Sequence, residues 1–296
     1  MHCRVQVLRR AYDMRDTMRK LRSRLVPLYG SGEAQAIIRI IFRYLKGWSA
    51  VEMFMNEDKE LSADVRASVD RILARLERRE PIQYITGIAQ FYGMELHVDR
   101  RVLIPRLETE QMVDMIADRF RGREDMDVLD IATGSGCIAI ALQRNLPFSH
   151  VSAMDVDEDA LAVARENAAR LKSRVNFFLA DVFSYNPAPD SFDLMVSNPP
   201  YIAESERAGM DANVLNYEPE KALFVPDEDP LLFYSRIAEV AMTGLRRGGM
   251  LYLEINSRYG DAMRRLLEAH GLAEVKIIND IHGAQRFAVA KRPDDD

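Results

Sequence analysis

The sequence predicts a Rossmann-like doubly wound α/β domain that follows a small helical bundle and a linking β-hairpin. From residue 107 onwards, apolar runs of strand length alternate with segments of helical periodicity, which is typical of the α/β class. A glycine-rich turn, Gly134-Ser135-Gly136, directly follows the first of these strands. Before residue 80, every periodic segment has helical spacing and no strand pattern interrupts them.

The N-terminal region is predicted to be a helical bundle over residues 1–80. Three segments have helical periodicity: residues 4–24, 33–46 and 62–79. Ser62 is suited to cap the third helix, because a serine hydroxyl can accept a hydrogen bond from an unpaired N–H of the first turn. Pro81 ends the region, since the residue before a proline is disfavoured in helical conformation.

A β-hairpin linker is predicted for residues 81–106, and the α/β domain for residues 107–296. Gly87 and Gly93 provide turn positions, and polar and apolar side chains alternate over residues 94–98. The predicted helices of the α/β domain cover residues 108–119, 137–144 and 158–171, and its predicted strands cover 127–132, 150–154, 175–179, 192–197, 250–255, 276–278 and 286–290.

Composition excludes several classes of protein. No apolar run approaches the roughly 18 residues that a membrane span needs, and no signal segment opens the chain, so we expect a cytoplasmic protein without membrane contact. The 2 cysteines and 5 histidines are scattered, so we expect no metal site. The net charge of -6 argues against a surface built to neutralise phosphates, and we expect no sequence-specific binding of nucleic acid.

Basic side chains predominate at the start of the chain. In residues 1–24 only Asp13 and Asp16 oppose them. The segment forms either the solvated face of an amphipathic helix or a surface that binds an acidic or RNA-rich partner.

Three strand ends predict an adenosine site. The turn Thr133–Gly136 opens a helix, so its glycines let a ligand approach the backbone and the unpaired N–H groups of that helix. Asp155 ends the next strand, where a carboxylate can bind both hydroxyls of a ribose. Asp181 follows the strand after that, in a position to accept the amino group of an adenine. Strand ends of this kind meet at one edge of a parallel sheet.

Helix capping is the alternative role for these acids. Asp155 and Asp157 both precede the predicted helix 158–171, and aspartate is among the most favoured N-cap residues. The glycine turn, the acids and the motif described next occur in register, which favours a ligand site.

The segment Asn198–Tyr201, with the sequence Asn-Pro-Pro-Tyr, follows the apolar run 192–197 and indicates methylation of a planar nitrogen. The lone pair of an amide or exocyclic amino nitrogen is delocalised, so an enzyme must hold the NH2 group and aim it at the methyl donor. Asn198 can accept one N–H, and a backbone carbonyl beside the prolines can accept the other. The prolines fix φ, and the Tyr201 ring can stack on a planar group. A strand followed by an ordinary Asn-Pro turn is the alternative.

These residues resemble the HemK/PrmC family, the protein-(glutamine-N5) methyltransferases that act on release factors. The resemblance extends over nearly the whole chain and is strongest in Glu80–Gly87, Leu103–Glu110, Asp130–Gly136 and Asn198–Tyr201. The second segment separates this family from the adenine methyltransferases that share the Asn-Pro-Pro-Tyr motif. Tyr217-Glu218-Pro219 and Glu254 also match, without an assigned role.

The resemblance implies a class I S-adenosyl-L-methionine-dependent methyltransferase domain and an N-terminal bundle that helps to bind class-1 release factors. The implied reaction transfers a methyl group to the Gln side-chain amide of the Gly-Gly-Gln motif and releases S-adenosyl-L-homocysteine. The chain is expected to act as a monomer. The implied cofactor residues are Asp130, Ala132, Thr133, Gly134, Ser135, Gly136, Asp155, Asp181, Val182 and Asn198. The implied catalytic and substrate residues are Asn198, Pro199, Pro200 and Tyr201, with Arg106 and Glu110 also at the substrate.

The chain departs from the family pattern at two positions. Leu107 stands where the family usually has proline, which is expected to loosen the segment 104–110. Ala132 stands where the family usually has glycine. An alanine fits there if φ is negative, and we expect somewhat altered cofactor affinity and not an inactive site.

Two other functions share part of this pattern. An adenine-N6 or other nucleic-acid methyltransferase would have the same cofactor site and motif, but it would need a basic groove or a target-recognition domain. A non-catalytic cofactor-binding scaffold could lose Asn198 without consequence, whereas here the whole motif is intact.

Overall fold

The computed structural model describes residues 13–294 and divides after Thr86 into two compact units, which are described in turn. The first unit is helical. Its helices are α1 (Met14–Lys46), α2 (Ala50–Met55), α3 (Ala63–Leu76) and α4 (Ile82–Thr86). Residues 4–12 of the first predicted helix, with part of the basic N-terminal segment, lie outside the described residues.

Helix α1 joins the first two predicted helices. Gly30 interrupts it with φ 75° and ψ 168°, between the segments predicted at 4–24 and 33–46. Ser62 caps α3 as predicted, because its hydroxyl accepts a hydrogen bond from the backbone N–H of Val65 at 3.4 Å. Apolar side chains from both halves of α1 and from α3 form one core, which includes Leu21, Leu25, Ile38, Ile41, Phe42, Val69 and Leu73.

The second unit begins with an antiparallel hairpin of β1 (Ile88–Phe91) and β2 (Met94–His97). Its turn residues, Tyr92 and Gly93, both have positive φ (45° and 72°), as a tight two-residue hairpin turn requires. The predicted hairpin is wrong for residues 82–86, which form α4 instead. Pro81 favours this outcome because a proline suits the start of a helix, where no N–H partner is needed, and its carbonyl accepts the N–H of Ile85 at 3.1 Å.

A seven-stranded sheet forms the centre of the second unit, with the strand order β10-β11-β9-β6-β3-β4-β5. Strands β3, β4, β5, β6 and the adjoining part of β9 are parallel, and β11 pairs antiparallel with β9 and β10. The chain leaves β3 towards β4 on one side and later returns to β6 on the other, so the strand order reverses at β3. The strands are β3 (Asp127–Ile131), β4 (His150–Asp155), β5 (Asn176–Leu179), β6 (Phe192–Ser197), β9 (Leu245–Glu254), β10 (Ala273–Asn279) and β11 (Gln285–Lys291).

Helices cover both faces of this sheet, which confirms the doubly wound prediction. Neighbouring residues of β3 show the two layers, since Val128 belongs to one apolar core and Leu129 to the other. The core around Val128 contains α5 (Leu107–Arg119), α6 (Cys137–Asn145) and part of α7 (Glu158–Leu171), and the core around Leu129 contains α9 (Leu232–Gly244) and α10 (Gly260–Ala269).

A long connection between β6 and α9 contains β7 (Ile202–Ala203), α8 (Ala212–Leu215) and β8 (Phe224–Val225). Strands β7 and β8 pair in parallel to form a separate small sheet. Among residues 13–294, no helix is both long and apolar enough to cross a membrane.

One buried side chain ties the hairpin to the glycine turn. Asn167 of α7 accepts the N–H of His97 at 2.6 Å and donates to the His97 carbonyl at 2.9 Å. It also donates to the carbonyl of Ser135 at 3.0 Å. The hairpin therefore helps to hold the β3–α6 turn in place.

The β3–α6 turn does not meet the condition under which alanine fits at position 132. Ala132 has φ +60°, in the left-handed region, and not a negative φ. The turn needs this conformation to reverse direction after β3, and Gly134 and Gly136 also have positive φ (54° and 80°). A side chain in this region is strained by roughly 1–2 kcal/mol, a cost that glycine does not have. At Gly136 a Cβ would lie 3.1 Å from the Ala164 Cβ, so a side chain there would be crowded as well as strained.

We expect Ala132→Gly to raise the free energy of unfolding by about 1 kcal/mol, because relief of strain exceeds the extra entropy of the unfolded glycine. Urea unfolding of the purified chain measures this change. Ala139→Gly, inside α6, is the matched control and should lower the free energy of unfolding by about 1 kcal/mol. A loss of stability in both variants would contradict the strain at Ala132.

Candidate functional site

One cavity opens at the carboxyl ends of β3, β4, β5 and β6, where the strand order reverses. It contains most of the positions that the sequence predicts for cofactor and substrate. The residues of the predicted set that line it are Arg106, Ala132, Thr133, Gly134, Ser135, Asp155, Asp181, Val182, Asn198, Pro199 and Pro200. Asp130, Gly136, Glu110 and Tyr201 lie outside this lining.

Asp155 faces the glycine turn. One carboxylate oxygen accepts the N–H of Gly134 at 2.9 Å, and the other accepts the N–H of Asp157 at 3.0 Å. Burial raises the pKa of the Asp155 carboxyl, and these two N–H groups partly offset that effect. The residue that caps α7 is Asp157, whose side chain accepts the N–H of Asp159 at 3.1 Å. Asp155 is therefore not the helix cap, and both of its oxygens retain lone pairs at the cavity.

The end of β5 supplies a mostly apolar part of the cavity wall. Asp181 is exposed and accepts the N–H of Phe183 at 3.0 Å, while Val182 beside it is buried. Val156 and Phe233 also line the cavity, although the sequence analysis did not select them. Val156 is 63% exposed, and its place directly after Asp155 at the end of β4 is the signal by which the sequence could have identified it.

Asp130 is completely buried under the turn. Its Oδ2 accepts hydrogen bonds from the Thr133 hydroxyl at 2.6 Å and from the Ala139 N–H at 3.2 Å. Its Oδ1 is buried and has no hydrogen-bond partner among the described residues. Burial raises the pKa of the Asp130 carboxyl to about 7, and the two donors act against this rise. An unpaired carboxylate oxygen in this position is suited to a positively charged ligand group.

The loop after β6 brings Asn198, Pro199 and Pro200 to the cavity, opposite the glycine turn. Ser197, the last residue of β6, fixes the loop by donating its hydroxyl to the Ile131 carbonyl at 2.7 Å. Tyr201 points elsewhere, and its hydroxyl donates to Glu254 at 3.2 Å. The ring of Tyr201, for which we predicted stacking on a planar group, is thus held outside the cavity lining.

Asn198 is hydrogen-bonded to a buried network of side chains. The Thr109 hydroxyl donates to Glu254 Oε2 at 2.7 Å, and the Asn198 Nδ2 donates to Thr109 Oγ1 at 3.3 Å. Glu254 ends β9 and is only 1% exposed, and burial raises the pKa of its carboxyl. The sequence analysis did not select Thr109, although it lies within the segment Leu103–Glu110 that carries the family resemblance.

Glu218 holds the segment 104–106 at the cavity wall. Its buried carboxylate accepts the Arg106 guanidinium at 2.6 Å and the N–H of Ile104 at 3.0 Å. Leu107, 68% exposed, is the first residue of α5, a position where proline is favoured but not required. Glu218 thus contacts the segment directly before Leu107, and the loosening expected at Leu107 stays a prediction.

Two family profiles match the chain. Residues 16–87 match the family described as "PrmC N-terminal domain", and residues 108–217 match "Methyltransferase small domain".

Curated relatives match over most of their length. A "Release factor glutamine methyltransferase" of Bacteroides thetaiotaomicron is 46% identical over 92% of this chain and 98% of the relative. Another of that name, from Flavobacterium psychrophilum, is 37% identical over 89% of this chain and 93% of the relative. Among solved structures, a 16S rRNA N2 G1207 methyltransferase of T. thermophilus shares the fold, with a TM-score of 0.50 and 17% identity over 69% of this chain and 49% of that chain. At these identities and coverages, the chain belongs to the release factor glutamine methyltransferase family.

Proposed function

We propose that this protein transfers a methyl group from S-adenosyl-L-methionine to the side-chain amide nitrogen of the Gln in the Gly-Gly-Gln motif of class-1 release factors. One observation carries the proposal: Asn198, Pro199 and Pro200 line the same cavity as the glycine turn and Asp155. A cofactor and an amide acceptor can therefore meet in one enclosed space. Relatives that bear the release factor name over nearly their whole length support this substrate.

The cavity residues fit this cofactor. Asp155 has lone pairs for the two ribose hydroxyls, and the wall at Val182 and Phe233 suits an adenine, with Asp181 near enough to accept its amino group. The unpaired Oδ1 of Asp130 favours the cofactor's ammonium group, which would bind at the turn above it. When bound, the cofactor supplies a methyl group made electrophilic by a sulfonium.

The acceptor glutamine would bind at the loop after β6. The Asn198 side-chain oxygen accepts one amide N–H, and a backbone carbonyl beside Pro199 accepts the other. Because the prolines restrict φ, these two acceptors are positioned before the substrate arrives. Such positioning and the exclusion of water supply most of the rate, and the more acidic methylated nitrogen then loses its proton to water.

The proposed substrate also suggests roles for the two parts of the chain and for two further residues. We propose that residues 1–80 help to bind the release factor, that residues 81–106 link them to the α/β domain, and that the protein acts as a cytoplasmic monomer. Arg106 and Glu110 are proposed to contact the substrate, and of the two only Arg106 lines the cavity. The net charge of -6 supports a protein acceptor over a nucleic acid.

Mass analysis of a purified class-1 release factor, incubated with this protein and S-adenosyl-L-methionine, tests the proposal. The expected result is one added methyl group on the glutamine of the Gly-Gly-Gln peptide. A release factor in which that glutamine is replaced by alanine is the control and should gain no methyl group. Methyl transfer to RNA or DNA in place of that peptide would contradict the proposal and favour a nucleic-acid amino group as the acceptor.

Asn198→Ala should lower kcat by roughly 100-fold, because it removes an acceptor that holds the reacting amide. Cofactor affinity, measured by titration calorimetry, should change far less. Asn145→Ala, at the exposed end of α6, is the matched control and should leave both quantities unchanged. Unchanged turnover in Asn198→Ala would remove this residue from the mechanism.

Cofactor affinity should rise with pH between about pH 5.5 and pH 7. In the cofactor-free protein the raised pKa of Asp130, about 7, keeps its carboxyl protonated at the lower end of this range. An ammonium group bound nearby favours the ionised form, so binding releases a proton and strengthens as pH rises towards the pKa.

Calorimetric titration of the cofactor across this pH range measures the effect, with Asp130→Asn as the comparison. Both donors reach Oδ2, so an amide oxygen there keeps both hydrogen bonds and the variant should fold. It should bind the cofactor roughly tenfold more weakly and without this pH dependence. The same pH dependence in Asp130→Asn would assign the titration to another group.

A further inference from the structure

Three side chains from three separate elements form a hydrogen-bonded chain that ends at the acceptor site. Glu254 comes from the end of β9, Thr109 from the first turn of α5, and Asn198 from the loop after β6. The distances are 2.7 Å from Thr109 Oγ1 to Glu254 Oε2 and 3.3 Å from Asn198 Nδ2 to Thr109 Oγ1. Thr109 and Glu254 are 2% and 1% exposed, so water does not compete for these contacts.

The chemistry of the three groups determines the direction of both hydrogen bonds. In the structure Thr109 gives its single hydroxyl proton to Glu254 Oε2, which is the direction that an ionised carboxylate requires because it can only accept. The other oxygen of Glu254 receives the hydroxyl proton of Tyr201 at 3.2 Å. Thr109 Oγ1 then has only lone pairs left to present to Asn198, which must therefore turn its NH2 group towards Thr109.

The side-chain amide of Asn198 can adopt two orientations, and its neighbours determine which of them is occupied. Its terminal torsion is broad and nearly two-fold, so the oxygen and the nitrogen can exchange places at little cost. In one rotation the oxygen faces the cavity and accepts an N–H; in the other the NH2 group faces the cavity and opposes the NH2 group of a glutamine. No described residue donates to Asn198 Oδ1, which leaves that oxygen available.

We propose that Thr109 and Glu254 are positioning residues which hold the Asn198 amide with its oxygen towards the acceptor nitrogen. This inference rests on the proposed function, because it assumes that Asn198 receives a substrate amide. Neither residue needs to touch the reacting atoms. Tyr201 supports the arrangement by occupying the second oxygen of Glu254, so that this oxygen does not compete for the Thr109 proton.

The hydrogen-bonded series from Glu254 through Thr109 to Asn198 forms a relay. Kinetics of three variants of the whole protein, with the release factor as substrate, test this relay. Thr109→Val keeps the shape but removes the hydroxyl, and should lower kcat by roughly 10- to 100-fold, the effect of losing one hydrogen bond in a buried charged network. Thr109→Ser keeps the hydroxyl and should retain most of the turnover. Glu254→Gln can donate to Thr109 and so reverse the chain, and should lower kcat to a similar degree.

The double variant and a remote control separate the relay from a general loss of structure. Because both residues act through Asn198, Thr109→Val combined with Glu254→Gln should be no slower than the slower single variant. Thr243→Val removes an exposed hydroxyl in α9 and should leave kcat unchanged. Cofactor affinity and the thermal unfolding midpoint of each variant report whether the cavity and the fold remain intact. Wild-type kcat in Thr109→Val, or strictly additive losses in the double variant, would overturn the relay.

A spectroscopic measurement tests the relay without any substrate. In the cofactor-free chain labelled with 15N-asparagine, the side-chain NH2 resonances of Asn198 are assigned by their loss in Asn198→Ala. They should shift in Thr109→Val and in Glu254→Gln, and return towards the wild-type position in Thr109→Ser. Unchanged Asn198 resonances in the first two variants would refute the relay, whichever molecule the protein methylates. Absence of glutamine methylation by the wild-type chain would instead refute the proposed function.

Discussion

The parallel pairing of β3 with β4 on one side and with β6 on the other determines where this protein can perform chemistry. In the observed register, Ile131 of β3 lies beside Met154 of β4 and beside Ser197 of β6, so the three strands end at one level. The residues that follow them, distant in sequence, become neighbours around one cavity. A one-residue slip in β6 would move Asn198 by about 3.3 Å along the sheet, more than a hydrogen bond to Thr109 tolerates.

Much of this arrangement was predictable because its signals are local. Strand and helix periodicity, the glycine turn and the acids at the strand ends predicted the doubly wound sheet and brought Asp155, Asp181 and Asn198 to one edge of it. Capping was also predictable, since Ser62 acts on a residue three positions away. The hairpin was overextended because its signals, Gly87, Gly93 and the alternation over residues 94–98, all lie after residue 86, whereas Pro81 favours a helix in front of them.

The remaining features depend on contacts that a single sequence does not reveal. Thr109 and Glu254 are separated by 145 residues, and nothing near either position indicates that they meet. The sequence left the sign of φ at Ala132 open. Negative φ is the intrinsic preference of alanine, but the path of the chain from β3 into α6 overrides it. Tyr201 was expected at the substrate because its neighbours in the motif are there. Its hydroxyl bonds to Glu254 of another strand and its ring lies outside the cavity lining, so its contact with the substrate stays a prediction.

The buried carboxyl of Asp130 makes the stability of the empty protein depend on pH. The raised pKa of the buried carboxyl means that the empty protein loses stability as pH rises from the ordinary range of an aspartate to about 7, where the unfolded chain is ionised and the folded chain resists ionisation. A bound cation removes that cost and adds its own binding free energy to the folded state. Any ligand that binds only the folded chain shifts the unfolding equilibrium towards the folded state, so empty molecules unfold more often than loaded ones.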